Sequence, residues 1–422
     1  MYQIETSGAL LRLPHKLRAG WSPRPHVSRT VLLLGLTSFF TDISSEMVSS
    51  ILPLYMILTL QMAPMEFGII DGLYQGTASL VRLVGGYIAD RWCRYKEVAV
   101  AGYALSAVCK LGVLLAGSTV GTLTSIIAID RAGKGIRTAP RDALLSLSSP
   151  PEGLATAFGV HRALDTAGAM LGPLVAFGLL ALVPGAFDAI FVVSFCVALI
   201  GLGVLTLFVE NKPSDESAAP APAVSLREVL RLLRLAPFRR LILVGAALSL
   251  ATMSDGFLYL SMQRRMSFSV GLFPLLYVIT ALIFMILAIP AGRLADRVGR
   301  GKVFIGGYML LLCVYMLLLL PSTGWLDVSL TLPLFGAYYA ATDGVLMAQT
   351  SAILPAWLRS SGLALVTTAT GLARLLASML FGLLWTWGGV NVAIMIFMSA
   401  LALGIVLAAA MLRRMEETPY AG

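Results

Sequence analysis

Charge is what this sequence is short of. Asp, Glu, Lys and Arg make up 13% of its 422 residues, about half of the ~25% found in an average soluble domain, and this excludes an ordinary water-soluble enzyme. Cysteine and histidine are scarce as well. Cys93, Cys109, Cys196 and Cys313 stand far apart, mostly inside apolar stretches, so neither a disulfide framework nor a clustered zinc motif is visible. His15, His26 and His161 are equally scattered, and neither a metal nor a cofactor is expected. The sequence has no Gly-x-x-x-x-Gly-Lys-Ser/Thr, His-Glu-x-x-His or Gly-x-Ser-x-Gly, which removes an ATP-driven pump, a zinc site and a nucleophile elbow. The spacing His161-x-x-x-Asp165 is one residue short of an acyltransferase-like His-x-x-x-x-Asp. No enzyme is expected.

What the sequence has instead is apolar length. At 58% hydrophobic residues and roughly 20 apolar residues per bilayer crossing, it can supply about twelve spans. Its 40 glycines and 18 methionines suit helices packed in lipid, which approach one another through small residues. Twelve stretches can be marked: 30–60, 66–90, 98–117, 121–146, 153–182, 188–209, then 240–262, 270–292, 303–320, 328–354, 362–386 and 390–411. The expected fold is an all-α membrane protein of two six-helix bundles, 30–209 and 240–411, with tails at 1–29 and 412–422. Residues 1–29 carry five basic residues among prolines and lack the apolar run of a secretory signal. With both ends inside, tails and inner loops hold 20 of the 31 Lys and Arg, and the outer loops only Arg264 and Arg265. That asymmetry predicts cytoplasmic termini. It also accounts for the +9 net charge without nucleic acid as a partner.

Residues 211–223 are rich in Pro, Ser and Ala without apolar period, which predicts a linker within 210–239. Ser225 and Glu228 follow with capping-box spacing, and Leu226, Val229, Leu230 and Leu233 share a face opposite Arg227, Arg231 and Arg234. Such a helix is expected to lie on the inner membrane surface, its arginines toward lipid phosphates. A solvated charged connector is the plainer alternative.

Gly86-Tyr-Ile-Ala-Asp90-Arg91-Trp-Cys-Arg94 after span two recurs as Gly292-Arg-Leu-Ala-Asp296-Arg297-Val-Gly299-Arg300 after span eight. The same pattern at the same place in two halves indicates a duplicated bundle. On these residues the chain resembles the major facilitator superfamily over roughly 30–411, with Cys93 replacing a glycine in the first copy. The resemblance implies an inner gate made by Gly86, Asp90, Arg91, Arg94, Gly292, Asp296, Arg297 and Arg300. An Asp beside mobile arginines at a helix end has two alternative partners and can bias two packings; simple orientation-setting charge would explain the arginines but not the spacing. Arg131-x-x-Lys134-Gly135 looks like the family's Arg-x-x-Gln-Gly motif, found in proton-coupled members, with Lys in place of Gln. Gly168-x-x-x-Gly172-Pro173 resembles the opening of its antiporter motif, but Ala176-Phe177 stand where Gly-Gly is usual. Close helix packing with a kink would also explain Gly168, Gly172 and Pro173.

Ionised groups near the bilayer centre cost roughly 2.5–3.5 kcal/mol each on insertion scales, and persist where they face a protein interior or a watery cavity. Asp42, Asp130, Arg131, Asp165, Asp343 and Arg374 fall near middle depth, with Asp255 nearer the outside. Asp42 and Glu46, one turn apart, and Asp165 are the expected proton-coupling acids; hydrogen bonding of the first two to Thr41, Ser44 and Ser45 is the bland alternative. Asp165 opposite Arg131 or Arg374 would be a structural ion pair. Arg131, Lys134, Arg162, Asp255, Asp343 and Arg374, with Tyr74, Gln75 and Tyr259, are expected to line a solute cavity. Arginine suits an anionic group because its fork cannot be neutralised, although acids and bases in the spans nearly balance. The expected function is alternating-access secondary transport of a small organic solute, as proton-coupled efflux, with proton-coupled import of a small anionic or amphipathic solute as the alternative. The expected setting is a bacterial inner membrane, with solute, protons and the lipid bilayer as partners of a monomer.

Overall fold

The computed structural model describes residues 28–92, 94–116, 119–149, 154–210, 231–321, 324–354 and 359–416. Among the described residues no strand occurs; the regular elements are helices. Lipid offers no hydrogen bonds to an open backbone, so a spanning segment of this apolarity must satisfy its peptide groups internally. The first six helices are α1 Arg29–Leu54, α2 Pro64–Trp92, α3 Tyr95–Leu115, α4 Val120–Leu147, α5 Leu154–Leu182 and α6 Phe187–Phe208. They follow the six expected spans. Just after Pro53, α1 widens into a π turn at Tyr55–Thr59, closed by the Leu60 N–H donating to the Tyr55 carbonyl at 3.0 Å.

The remaining helices are α7 Ala236–Leu250, α8 Asp255–Met266, α9 Phe273–Val298, α10 Arg300–Leu319, α11 Trp325–Ile353 and α12 Arg359–Glu416. One difference from the sequence expectation stands out. The seventh stretch, read as continuous over 240–262, is broken between α7 and α8. There Tyr315 fills the gap: its hydroxyl accepts from the Met253 N–H at 2.6 Å and lies 3.1 Å from the Ala251 carbonyl oxygen, to which it donates. Ser254 then caps α8 by accepting from the Phe257 N–H. The last two stretches are two helices, as expected, meeting at a kink within Arg359–Glu416 where Gly389, with a φ of 81° that suits glycine, breaks the helical geometry. Residues 225–230 of the expected surface helix lie outside the described residues; Leu232–Arg234 form a 3-10 turn, and α7 begins at Ala236, inside the expected linker.

Among the described residues, eight segments are long and apolar enough to cross a membrane. Of these, Gly362–Arg413 has 52 residues, enough at about 1.5 Å per residue for two crossings. The long helices α2, α4 and α11 fall outside this group because they carry the polar groups. Acids and bases interrupt α2 and α4, while Pro333, Tyr338, Tyr339, Thr342 and Asp343 interrupt α11. The outward faces are greasy, with Leu115, Leu182 and Trp387 at least 80% exposed, as a lipid-facing surface requires.

The described residues form two compact units. One comprises 28–52 and 77–210, and the other 53–76 and 231–416. The first is cored by Val31, Leu34, Ala99, Tyr103, Leu144, Leu145 and Leu205. Within it α3 and α4 touch backbone to backbone: a Cβ on Gly102 would lie 2.7 Å from the Gly133 carbonyl oxygen, and one on Gly133 2.8 Å from that of Gly102. The second unit is aromatic at its centre. Tyr259 meets Tyr277 edge-on at 4.5 Å, Phe335 packs on Tyr338 and Tyr339, and Phe257 sits 4.7 Å from Phe67 of α2.

Candidate functional site

In the first unit, two glycines bring α5 onto α1. A Cβ on Gly168 would collide with the Phe39 carbonyl oxygen, and one on Gly172 would lie 2.7 Å from that of Ile43. Asp42 stands between Phe39 and Ile43, and Asp165 precedes Gly168 by one turn. The close approach therefore sets the two carboxyl groups against each other, within hydrogen-bonding reach, and both residues are buried. Lys134 and Arg137 of α4 face Asp42. Around Asp165 stand Arg141 Nη1 at 3.8 Å and Arg162 Nη1 at 3.7 Å, with His161 also facing it. Arg141 is held in turn by Asp142 at 2.9 Å, and it donates to Ser38 Oγ at 3.3 Å. His161 Nε2 lies 3.0 Å from the same Ser38 oxygen, so this histidine belongs to a polar core and not to an acyltransferase.

The second acid of the expected α1 pair is placed differently. Glu46 is half-buried, accepts a hydrogen bond from Ser49 Oγ at 2.7 Å, and faces Lys134 and Arg131. The structure thus brings Asp42 to Asp165 and gives Glu46 its own partners. Ser44, named as a possible partner of the pair, instead lies 2.8 Å from Ser194 on α6.

Next to this lies a cationic cluster on α3 and α4. Lys110 Nζ is 3.0 Å from Asp130 Oδ1, and Arg131 Nε donates to Asp130 Oδ2 at 3.0 Å. Arg137 lies with its guanidinium carbon 4.5 Å from the centre of the Tyr103 ring. Lys110, Asp130, Arg131 and Arg137 are each at most 6% exposed. Arg137 has no ion-pair partner among the described residues, and its Nη1 is buried without a hydrogen-bond partner.

The second unit holds the other expected site residues. Arg374 Nη2 reaches Asp343 Oδ1 at 3.4 Å, whereas Asp42, Arg141, Arg162 and His161 stand around Asp165. Asp343 and Arg374 border a cavity of about 30 Å³ with Ser249, Tyr308 and Thr370. Asp255, first residue of α8, accepts from the Tyr339 hydroxyl. Tyr259 is fully buried and donates to Thr280 Oγ1 at 2.8 Å, which places it in the aromatic core. Tyr74 and Gln75 are half-buried on α2.

Of the two signature loops, the second is described in full. Arg300 Nη2 lies 3.1 Å from Asp296 Oδ1, and Arg300 Nη1 donates to the Ala348 carbonyl at 3.0 Å. One guanidinium therefore ties the end of α9 to α11 at the start of α10. Gly292 has open space where a Cβ would stand, and Arg297 is exposed. In the first copy Arg94 is exposed; Gly86, Asp90 and Arg91 close α2, and their side chains lie outside the described residues.

Sequence reasoning passed over Lys110 and Asp71. Each is a charge inside an apolar stretch, and the cost of an unpaired ion in lipid was the available signal. Asp71 of α2 accepts from Ser378 Oγ of α12 and also faces Ser254 and Asp255. Arg141 was missed because it stands at the end of its span, where a topology-setting role suffices.

Long apolar helices, a lipid-compatible surface and charges concentrated inside the units define a polytopic membrane protein. The model of the Major Facilitator Superfamily matches residues 34–350 and 287–421. An uncharacterised transporter of this type from Methanocaldococcus jannaschii is 31% identical over 369 residues, 85% of this chain and 89% of that protein. The chain belongs to the Major Facilitator Superfamily. It is also similar to an uncharacterised protein of Mycobacterium tuberculosis, 34% identical over 187 residues, 44% of this chain and 42% of that one. Among solved structures, the nucleoside transporter NupG matches with a TM-score of 0.72 at 16% identity, covering 92% of this chain and 99% of that one. The peptide transporter POT in complex with sulfate also gives 0.72 at 16% identity, covering 94% and 96%. Likeness at that identity concerns the fold alone.

Proposed function

We infer that the chain is a proton-coupled secondary transporter of a small organic solute, with the Asp42 and Asp165 carboxyl pair as its proton site. One observation carries this reading: two buried carboxyl groups are held against each other by close contact of α1 and α5. Such a pair repels when both are ionised and attracts when one proton lies between them. A conformational change that separates α1 from α5, or that shifts Arg141 and Arg162, changes the affinity for that proton. Proton movement is then tied to the change of access.

Efflux was expected from Gly168-x-x-x-Gly172-Pro173. Helix contact accounts for both glycines, so the motif no longer distinguishes export from import, and the acid pair serves either direction. The positive-inside asymmetry supports a membrane orientation with both termini inside, and we take the transporter to be a monomer in a bacterial inner membrane. The test is proton flux in proteoliposomes carrying a panel of small organic solutes. Asp42→Asn and Asp165→Asn should each abolish solute-driven proton movement. Wild-type proton coupling in both variants would remove the pair from this role.

A further inference from the structure

The charges around the acid pair do not balance. Lys110, Arg131, Lys134 and Arg137 lie on α3 and α4; among the described residues the acids Asp130, Glu46 and Asp42 face them. Asp130 is committed to Lys110 and Arg131, and Glu46 to Ser49, Lys134 and Arg131. Asp42 is engaged by Asp165. That leaves Arg137, facing Tyr103, Asp42, Asp130 and Arg131, with its Nη1 buried and unpartnered. A lysine or histidine so placed could shed its proton, but arginine cannot. A buried cation without a counter-charge is costly, and an unsatisfied buried donor in a native structure asks for a missing partner.

We propose that Arg137 binds the anionic group of the transported solute, a carboxylate or a similar oxyanion, and that this anion and the proton of the Asp42 and Asp165 pair are bound together. The guanidinium lies close enough to Asp42 to interact with its charge. When the acid pair holds its proton, Asp42 gives Arg137 no full counter-charge, and an anion from outside supplies it. When the proton leaves, the Asp42 carboxylate competes for the same guanidinium and the anion is released. Linkage makes the effect reciprocal: the proton raises affinity for the anion, and the anion raises affinity for the proton. A carrier of this kind moves solute and proton in the same direction, so the inference selects symport over antiport. The anion half rests on Arg137 alone; the linkage half also rests on the proton-site reading above.

The test uses the purified full chain in detergent, with benzoate and sulfate as probes against chloride at equal ionic strength. Both probes are ionised at mildly acidic and mildly alkaline pH, so a pH effect reports on the protein. Thermal stabilisation should be saturable with at least one probe and about tenfold tighter at acidic pH, equivalent to one pK unit of linkage. Arg137→Gln should abolish it and Arg137→Lys should weaken it at least about tenfold, the fork being lost. If Arg137→Gln fails to assemble, Arg137→Lys decides. Asp42→Asn should bind at both pH values with the acid-form affinity. Stabilisation by neither probe, or unchanged binding in the Arg137 variants, overturns the anion site. Loss of binding in those variants with no pH effect, or with tighter binding at alkaline pH, overturns the linkage alone. Failure of the proton-site reading shows separately, as intact proton flux in Asp42→Asn.

Discussion

Asp42 on α1 meets Asp165 on α5 because Gly168, one turn beyond Asp165, lies directly against the Phe39 carbonyl. A side chain at Gly168 must push the helices apart, so the proton site depends on a residue that carries no charge. Gly168→Ala and Gly168→Val should reduce proton-coupled flux in order of size, and both should lower the melting temperature. Flux in Gly168→Val equal to that of the wild type would show that the contact does not set the acid pair.

Glu46 provides the control for the acid pair. Its carboxylate has Ser49, Lys134 and Arg131 around it, so Glu46→Gln should impair coupling by much less than Asp42→Asn. Asp42→Asn and Asp165→Asn should be strongly non-additive, since either alone destroys the shared site. The measurement is solute-driven proton flux in the two single variants, the double variant and Glu46→Gln.

Asp130 is the counter-ion of two buried cations. Asp130→Asn leaves Lys110 and Arg131 facing each other without a carboxylate, which should cost about 3–5 kcal/mol. Adding Lys110→Met should restore part of that loss. Thermal melts of the detergent-solubilised variants check both, and a double variant no more stable than Asp130→Asn would contradict the pairing.

Tyr315 closes the break between α7 and α8 with one hydroxyl that both accepts and donates. Tyr315→Phe strands the Met253 N–H and the Ala251 carbonyl at about 1–3 kcal/mol for each group. Amide exchange should accelerate at residues 251–254 and stay unchanged in α3. Equal protection at the break in both proteins would show that other groups satisfy it.

Arg300 links Asp296 to the Ala348 carbonyl on α11. Asp296→Asn should slow exchange between conformations, read as a lower transport rate with solute affinity retained. A pure affinity defect would place Asp296 elsewhere in the cycle.

Much of this architecture could be read from sequence because lipid removes options. An apolar stretch of about 20 residues has to be helical. The repeat at Asp90 and Asp296 then named the duplicated bundle. The site was only partly readable. That Asp42, Asp165, Asp343 and Arg374 are charges inside the spans was legible because such charge is costly, but their pairing was not, since partners on different helices meet by three-dimensional packing. Asp165 was expected beside Arg131 or Arg374 and stands beside Asp42, Arg141 and Arg162. Hydropathy also gave no warning that the seventh stretch breaks at Ala251, because its apolar run continues through the gap.

Gly102 and Gly133 each leave space for the other's carbonyl oxygen, so α3 and α4 cannot slide without a steric collision. Probes attached to the lipid-facing ends of these two helices should keep one separation in every state of the cycle. They would serve as a built-in ruler for spectroscopic distances, against which displacement of any other helix can be calibrated.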